Sequence, residues 1–203
     1  MREIEIRRAL RLLILREFAD RDTRVVDELA ICEGAARIDM AAVNGSLHGY
    51  EIKSAQDTLQ RLSDQSVAYS RIFDFVTLVT AKRHLRAARV LLPKWWGILV
   101  VEDPDKIVTL RQVRRPKRNR GVDAYSQAQL LWRDEALAIL DAFNLARGIR
   151  SKPRRQLCER LVANLDIDMV ADAVRRTLKN RQSWRVDALP ASNGDSCPLF
   201  ATS

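Results

Sequence analysis

The sequence is poor in the residues that mark secreted, zinc-binding and membrane-embedded proteins. Its 203 residues include only two histidines and three cysteines, and Cys32, Cys158 and Cys197 lie far apart. An odd number of cysteines at such spacing forms neither a zinc pattern nor a disulfide framework, and is typical of a reducing cytoplasm. No apolar run approaches the roughly 18 residues that a membrane span needs. We therefore expect a cytoplasmic protein with no membrane partner.

Acidic residues are in the minority and are missing from one whole segment. Lysine and arginine number 35 against 26 aspartates and glutamates, which gives a formal net charge of +9. Residues 111–120 (RQVRRPKRNR) hold six of these cations and no acid. Positive charge attracts polyanions, because binding to phosphates releases their counterions. The composition therefore favours a nucleic-acid partner, DNA in the first place, with RNA not excluded.

Hydrophobic periodicity divides the chain into an α/β part and a helical part. The predicted elements of the first part are helix 3–18 with Arg7 among the arginines on its solvent side, an ambiguous segment 25–31, strands 36–43 and 47–53, helix 54–73, strand 75–80, helix 82–92, and strands 97–102 and 106–110. Three helices follow, at 128–145, 153–165 and 169–180. This order predicts an α/β fold with a mixed sheet flanked by helices, and a helical C-terminal extension.

The same pattern suggests domain boundaries. We expect a core over residues 1–110, a basic linker over 111–124, a helical extension over 125–188, and a flexible tail over 189–203. The linker is predicted from its positive charge and from Pro116 and Gly121. The flexible tail is predicted from its composition, which is rich in small and polar residues and contains proline.

Two acids and a lysine lie on the predicted hairpin. Glu51 and Lys53 share one strand face, because side chains alternate along a strand, and Asp39 lies on the preceding strand. A two-residue Asn44-Gly45 loop would pair Asp39 with Tyr50 and put the two acids on opposite faces. A three-residue loop that includes Ser46 pairs Asp39 with Glu51. We predict the three-residue loop, or another of odd length.

This set of residue types predicts metal-dependent hydrolysis of phosphodiesters. Carboxylates bind Mg²⁺ or Mn²⁺ through hard oxygen ligands and leave coordination positions for water and phosphate. Such a metal activates the attacking water and neutralises charge in the transition state. A neighbouring lysine can position or deprotonate the water, or stabilise developing charge.

Asp39 and the run Glu51-Ile52-Lys53 resemble the PD-(D/E)XK nuclease superfamily. The runs ARIDMAAV, GYEIKSAQDTLQRL, QSVAY and FDFVTLVT are similar to small bacterial MmcB-like proteins of that superfamily, which are linked to DNA repair. The resemblance covers roughly residues 20–105, with Ile38 in place of the usual proline before the aspartate. It implies a restriction-endonuclease-like fold and a metal-dependent deoxyribonuclease that acts in DNA repair, DNA processing or defence against phage and mobile elements.

The resemblance also implies roles for further residues. Gln65 and Tyr69 match the QxxxY element, whose two side chains share one helix face and support substrate or metal-bound water. An upstream acid often completes the metal site; Glu28 is the first candidate and Glu33 the second. The implied catalytic set is Asp39, Glu51, Lys53, Gln65 and Tyr69, and the implied metal ligands are Asp39, Glu51 and Glu28.

Several cations are candidates for contact with phosphates. Arg61 precedes Gln65 by one helical turn on the same helix line. The linker supplies Arg114, Arg115, Lys117 and Arg118, and the helix start around Pro153 supplies Lys152, Arg154 and Arg155. Cations clustered near helix ends suit phosphate contact without reading of bases. The pattern of a helix, the run Arg147-Gly148-Ile149-Arg150, Lys152 and a second helix with Leu157 and Leu161 is faintly similar to SAP-type helix-loop-helix DNA-binding modules.

Other interpretations remain open at this stage. Glu51 and Lys53 could be an exposed pair on a solvated strand, and Gln65 and Tyr69 a polar cap and a core side chain. The protein could also be a non-catalytic nucleic-acid-binding module with the same fold, or an accessory subunit of a defence system. Because nucleases that cut both strands often work in pairs, a homodimer is possible, although nothing in the sequence marks its surface.

Overall fold

We describe the fold from a computed structural model, in which residues 3–103, 107–182 and 184 are described. The helices and strands in these ranges, in chain order, are α1 (Glu3–Glu17), β1 (Arg24–Ile31), β2 (Ala36–Val43), β3 (Leu47–Lys53), α2 (Leu62–Ser70), β4 (Phe75–Ala81), α3 (Leu85–Leu91), β5 (Gly97–Glu102), β6 (Thr109–Arg114), α4 (Ala124–Ala128), α5 (Arg133–Ala142), α6 (Arg154–Asn164) and α7 (Ile167–Asn180). Among them, no helix has the length and apolar character needed to cross a bilayer.

The six strands form one mixed sheet in the order β1-β2-β3-β4-β5-β6. Strand β3 runs antiparallel to β2 and parallel to β4, β4 is parallel to β5, and β5 is antiparallel to β6. The central strand β4 reads FVTLVTA, a run suited to a strand that is covered on both faces. The prediction of an α/β protein with a mixed sheet flanked by helices is confirmed.

One face of the sheet is covered by α1. Its buried residues Ile6, Leu10 and Ile14 are spaced by four, so that they form a single apolar stripe. They pack in one cluster with the sheet residues Met40, Ala42, Tyr50, Ile52, Val79, Leu99 and Val101. Each such aliphatic side chain contributes about 1.5–3 kcal/mol on full burial. This stripe fixes α1, and with it Arg7, against the sheet.

A glycine allows close packing near the end of α2. A Cβ atom at Gly49 would lie 2.4 Å from Ile38 Cδ1 and 3.1 Å from the Phe73 ring, so no larger residue fits without a shift. Phe73 in turn contacts the ring of Tyr69 edge-on, at a centroid distance of 6.0 Å. The packing that Gly49 permits therefore helps to position the helix that carries Gln65 and Tyr69.

Three of the predicted boundaries are wrong. The helix predicted over 54–73 begins only at Leu62, because Asp57 Oδ2 accepts a hydrogen bond of 2.7 Å from the backbone N–H of Ser54 and closes a turn instead. The strand predicted over 106–110 runs over Thr109–Arg114, so the first residues of the expected basic linker belong to the sheet. The helix predicted over 128–145 spans only Arg133–Ala142. Glu135 Oε2 accepts a hydrogen bond of 2.7 Å from the backbone N–H of Trp132 where this helix begins.

The chain forms two compact units. Of the described residues, the first unit comprises those up to Leu29 together with those within Ile38–Asp123, and the second comprises Ala30–Arg37 together with those within 124–184. Within the second unit, the guanidinium of Arg181 lies 4.2 Å from the centre of the Trp132 ring and 4.5 Å from that of Trp184, and it also pairs with Glu135. The predicted tail, 189–203, lies outside the described residues.

Candidate functional site

The hairpin loop has the predicted length. Val43 pairs with Leu47 across the two strands, and Asn44 Oδ1 accepts a hydrogen bond of 3.0 Å from the backbone N–H of Ser46 within the loop. The prediction of a three-residue loop is confirmed. Continued by one residue beyond the Met40–Tyr50 pair, this register sets Asp39 opposite Glu51.

Glu51 is the centre of the arrangement and is only 2% exposed. Its Oε1 accepts hydrogen bonds of 2.7 Å from Lys53 Nζ and 2.7 Å from Gln65 Nε2, and its Oε2 accepts one of 2.8 Å from the Tyr69 hydroxyl. Burial and the charge of Glu51 raise the pKa of Tyr69, so that this hydroxyl remains a donor. The structure thus brings together four residues that the sequence singled out.

Asp39 lies beside Glu51, and both of its carboxylate oxygens accept hydrogen bonds. Its Oδ2 accepts a hydrogen bond of 2.6 Å from the N–H of Ile52, and its Oδ1 accepts one of 2.9 Å from Arg7 Nη2. Burial, followed by the negative charge of Glu51, raises the pKa of Asp39 to about 7. Glu51 is therefore close enough to disfavour the ionised form of Asp39.

Sequence reasoning missed Arg7, which it placed on the solvent side of the first helix. Its guanidinium donates to Glu3 Oε1 at 2.8 Å, to the backbone oxygen of Asp39 at 2.9 Å, and to Glu28. Burial opposes its charge, but the surrounding carboxylates outweigh burial and raise the pKa of Arg7. The available signal was its position next to the buried Ile6, at the edge of the apolar stripe.

The two candidate upstream acids have different surroundings. Glu28 pairs with Arg7 and has a left-handed backbone with a φ of 52°, an uncommon conformation for a residue with a side chain. Glu33 pairs instead with Arg154, 2.8 Å away and within the second unit. Glu28 is therefore the acid that contacts the same arginine as Asp39. We call Arg7, Glu28, Asp39, Glu51 and Lys53 the acidic network.

The carboxylates of the acidic network are engaged by donors of the protein itself. Both oxygens of Asp39 and both of Glu51 already accept hydrogen bonds, and the charge of Arg7 lies between Asp39 and Glu28. In the described part of the chain, no group of three or more acids, histidines or cysteines is arranged to hold a metal. Gln65 Oε1 is buried there without a hydrogen-bond partner and could accept one from a further ligand. Mg²⁺ or Mn²⁺ at this site stays a prediction.

A second group of charged residues gathers where the turn before β5 meets the end of β6. Arg114 donates to the backbone oxygens of Trp96, at 2.6 Å, and Pro93, at 3.1 Å. The backbone N–H of Lys117 donates to the oxygen of Trp95 at 2.7 Å. Two basic segments that are distant in sequence are thereby held side by side.

Positive charges lie close together in this second group. Burial lowers the pKa of Arg114, and the positive charge of Arg89 on α3 lowers it further. The charge of Arg89 therefore disfavours that of Arg114. Arg89, Lys94, Arg115 and Lys117 are exposed, and Trp95 is partly exposed. We call Arg89, Lys94, Arg114, Arg115 and Lys117 the Trp95 basic surface.

The remaining predicted phosphate contacts are more dispersed. Arg61 is exposed at the start of α2, and Arg118 is exposed and pairs with Asp74 at 3.7 Å. In the second unit, Arg154 donates to the backbone oxygen of Gln129 at 2.7 Å as well as to Glu33. Arg155 pairs with Glu159 one turn later at 2.9 Å, and Lys152 is exposed. Their contact with nucleic acid stays a prediction.

The fold and the two groups of charges define an α/β protein with an acidic network closed by its own cations and an exposed basic surface. The chain belongs to the family described as bacteriophage P4 protein cII, whose family model matches residues 1–193. It is similar to protein cII of Enterobacteria phage P4, with 23% identity over 181 residues that cover 89% of this chain and 68% of that protein. No solved structure matches the chain.

These comparisons overturn the functional predictions drawn from the motif. The family is the cII family of phage P4 and not the PD-(D/E)XK superfamily or its MmcB-like members, so the predicted recognition is wrong. The predicted deoxyribonuclease, its assignment as an Mg²⁺-dependent hydrolase, and its role in DNA repair, processing or defence are wrong for the same reason. The match does not by itself favour the accessory-subunit alternative or the non-catalytic binding module.

Proposed function

We propose that this protein binds DNA, and that the Trp95 basic surface makes the contact. The observation that carries the proposal is the convergence of two cationic segments, in which Arg89 lies close enough to Arg114 to lower its pKa. A cluster of like charges is unfavourable in the free protein. It becomes favourable when a polyanion neutralises it and releases its own counterions.

The partners of Arg114 distinguish its role from those of its neighbours. Its two bonds to backbone oxygens of the turn that contains Trp95 hold that turn against the end of β6. We assign Arg114 as a positioning residue. The exposed Arg89, Lys94, Arg115 and Lys117 are the candidates for direct contact with phosphates, which suits binding that depends weakly on base sequence.

The acidic network has a different role in this proposal. Arg7 on α1 bonds to Asp39 on β2 through two groups, a carboxylate oxygen and a backbone oxygen. Lys53 and Glu51 are paired at 2.7 Å and almost wholly buried. We assign the network a structural role, in which it ties α1 to the sheet. Phosphates would be repelled by its three carboxylates.

Two predictions from the sequence, on the arrangement of the sheet and on the helical extension, are also part of the proposal. A restriction-endonuclease-like arrangement of the sheet stays a prediction, since no solved structure matches. The helical extension, including Lys152, Arg154 and Arg155, would add further phosphate contacts to those of the first unit. RNA is the alternative ligand, because phosphate contacts alone do not distinguish it from DNA.

Titration of a fluorescent DNA duplex of about 20 base pairs by anisotropy tests the proposal. The variant Arg115→Gln/Lys117→Gln should bind about 10-fold more weakly at low salt, and the slope of log affinity against log salt should become less steep by about two. Arg24→Gln/Arg160→Gln is the matched control, because it removes two exposed cations elsewhere in the described chain. Equal losses in both variants would mean that only net charge matters and would contradict the assigned surface.

The same titration with an RNA duplex and with single-stranded DNA separates the possible ligands. Tighter binding of duplex DNA than of duplex RNA at equal salt is the expected result. Binding that shows no dependence on salt would contradict the electrostatic basis of the proposal, and absence of binding at low salt would overturn it.

A further inference from the structure

Helix α1 has a second apolar face that points away from the core. Ile4 is 56% exposed, Leu12 is 70% exposed and Leu15 is 48% exposed, although each is a large aliphatic side chain. With about 100° per residue, these three lie within an arc of about 80°. That arc is centred opposite the buried stripe of Ile6, Leu10 and Ile14. The helix is therefore apolar on two opposite sides.

The spacing of the outer face suits contact with another helix. Ile4, Arg8, Leu12 and Leu15 follow each other at intervals of four, four and three residues, which is the spacing of residues at the seam between two packed helices. Arg8 is exposed, and its aliphatic stem can cover apolar surface while its charged end reaches solvent. In a monomer this face would leave three large apolar side chains in water.

We propose that this face binds the same face of a second copy of the chain, with the two α1 helices antiparallel. Acids lie in the first turn of α1, at Glu3 and Glu5, and a cation lies in the last turn, at Arg16. An antiparallel pair sets Ile4 against the partner's Leu15 and Arg8 against the partner's Leu12. Glu5 then lies beside the partner's Arg16, twice by symmetry.

The charges select this orientation over the parallel one. Glu5 and Arg16 lie on the same flank of the outer face, about 20° apart around the helix. In a parallel pair the two flanks that carry Glu5 and Arg16 would lie on opposite sides of the seam, so this charge contact could not form. Because one short helix supplies the contact, it is smaller than a standard interface. We therefore expect a dimer that dissociates at micromolar concentration.

Sedimentation equilibrium of the full chain over about 1–300 μM tests the dimer itself. The wild-type protein should shift from monomer to dimer across this range, and Leu12→Glu should weaken the dimer by about 10-fold or more, since it buries a charge in place of a leucine. Val90→Glu is the matched control, because Val90 is 82% exposed on α3. It should leave the dimer unchanged. A wild-type protein that stays monomeric at the top of the range overturns the proposal.

A mixing experiment tests the antiparallel orientation. Glu5→Arg and Arg16→Glu should each dimerise more weakly than wild type, because each places like charges together. An equimolar mixture of the two variants should form a heterodimer, since each of the two charge contacts then joins an arginine of one variant to a glutamate of the other. A mixture that dimerises no better than its components contradicts the assigned orientation. No residue of the Trp95 basic surface is altered, so this test is independent of DNA binding.

Discussion

The acidic network and the Trp95 basic surface use the same kinds of charged side chain in opposite ways. In the network, Arg7 and Lys53 are each paired with a carboxylate at 2.9 Å or less. At the basic surface, burial and the positive charge of Arg89 both oppose the charge of Arg114. The cations of the first arrangement are paired within the protein, whereas no carboxylate among the described residues pairs with the cations of the second. This difference supports the proposal that the acidic network is structural and that the Trp95 basic surface binds an anionic partner.

The largest expected effect on stability follows from removal of Arg7. Arg7→Ala would remove the ion pairs of Arg7 with Asp39 and Glu28, and we expect the free energy of unfolding to fall by about 2–3 kcal/mol. Chemical denaturation followed by circular dichroism measures this change. DNA affinity of the folded variant should remain within about twofold of wild type, since the phosphate contacts are untouched.

Arg11→Ala is the internal control for that prediction. Arg11 lies one turn after Arg7 on the same helix and pairs with Asp27, but both side chains are more than a third exposed. An exposed pair contributes about 0–1 kcal/mol. Equal losses of stability in the two variants would show that burial of the network contributes nothing, which would contradict its structural role.

A smaller effect is expected from the ionisation of Asp39. Its pKa rises from 3.8 to about 7 on folding, so between these values the native state holds more protons than the unfolded state. Stability therefore decreases as pH rises from about 4 to about 7, and is constant above that range. A full shift corresponds to about 4 kcal/mol, and because the side chain is 22% exposed we expect about 2 kcal/mol after screening.

Asp39→Asn isolates this contribution. The stability of the variant relative to wild type should rise by about 2 kcal/mol between about pH 4 and pH 7, as measured by urea denaturation at several pH values. Asp134→Asn replaces a carboxylate that is 91% exposed and corrects for general charge effects. A relative stability that falls over the same range would show that Arg7 outweighs burial and Glu51 at this carboxyl group.

The smallest expected effect on stability concerns the basic surface. Arg89→Gln relieves repulsion of Arg114, so thermal unfolding should occur at the same temperature as in wild type or slightly above it. DNA affinity should nevertheless fall by about threefold or more, because one phosphate contact is lost. A lower unfolding temperature with unchanged DNA affinity would reverse the roles of the two charge groups.

The sequence was informative wherever the pattern is local. Strand alternation and the Asn44-Gly45 signal predicted the pairing of β2 with β3, and the spacing of four predicted that Gln65 and Tyr69 share one helix face. The fold class followed from the same periodicities. Each of these inferences depends on residues that lie within about one helical turn or one hairpin of each other.

The sequence was misleading where contacts between residues that are far apart in the chain determine the structure. The contact of Arg7 with Asp39 spans 32 positions, and no local pattern distinguishes an arginine that points into a site from one in solvent. The alternating pattern of a strand likewise gives no sign of the left-handed backbone conformation of Glu28. The motif of Asp39, Glu51 and Lys53 is present as predicted. The family match over residues 1–193 nevertheless shows that the resemblance of a few short runs to the nuclease superfamily was misleading.

The most direct test of the central claim combines DNA affinity and stability in one set of proteins. Wild type, Arg7→Ala and Arg115→Gln/Lys117→Gln are titrated with duplex DNA in EDTA, and each is unfolded in urea. We expect Arg7→Ala to lose stability but to bind DNA, whereas the double variant should keep its stability and bind about 10-fold more weakly. The assignment of the two charge groups would be contradicted if the double variant bound DNA as tightly as wild type and if Arg7→Ala remained folded but lost DNA binding.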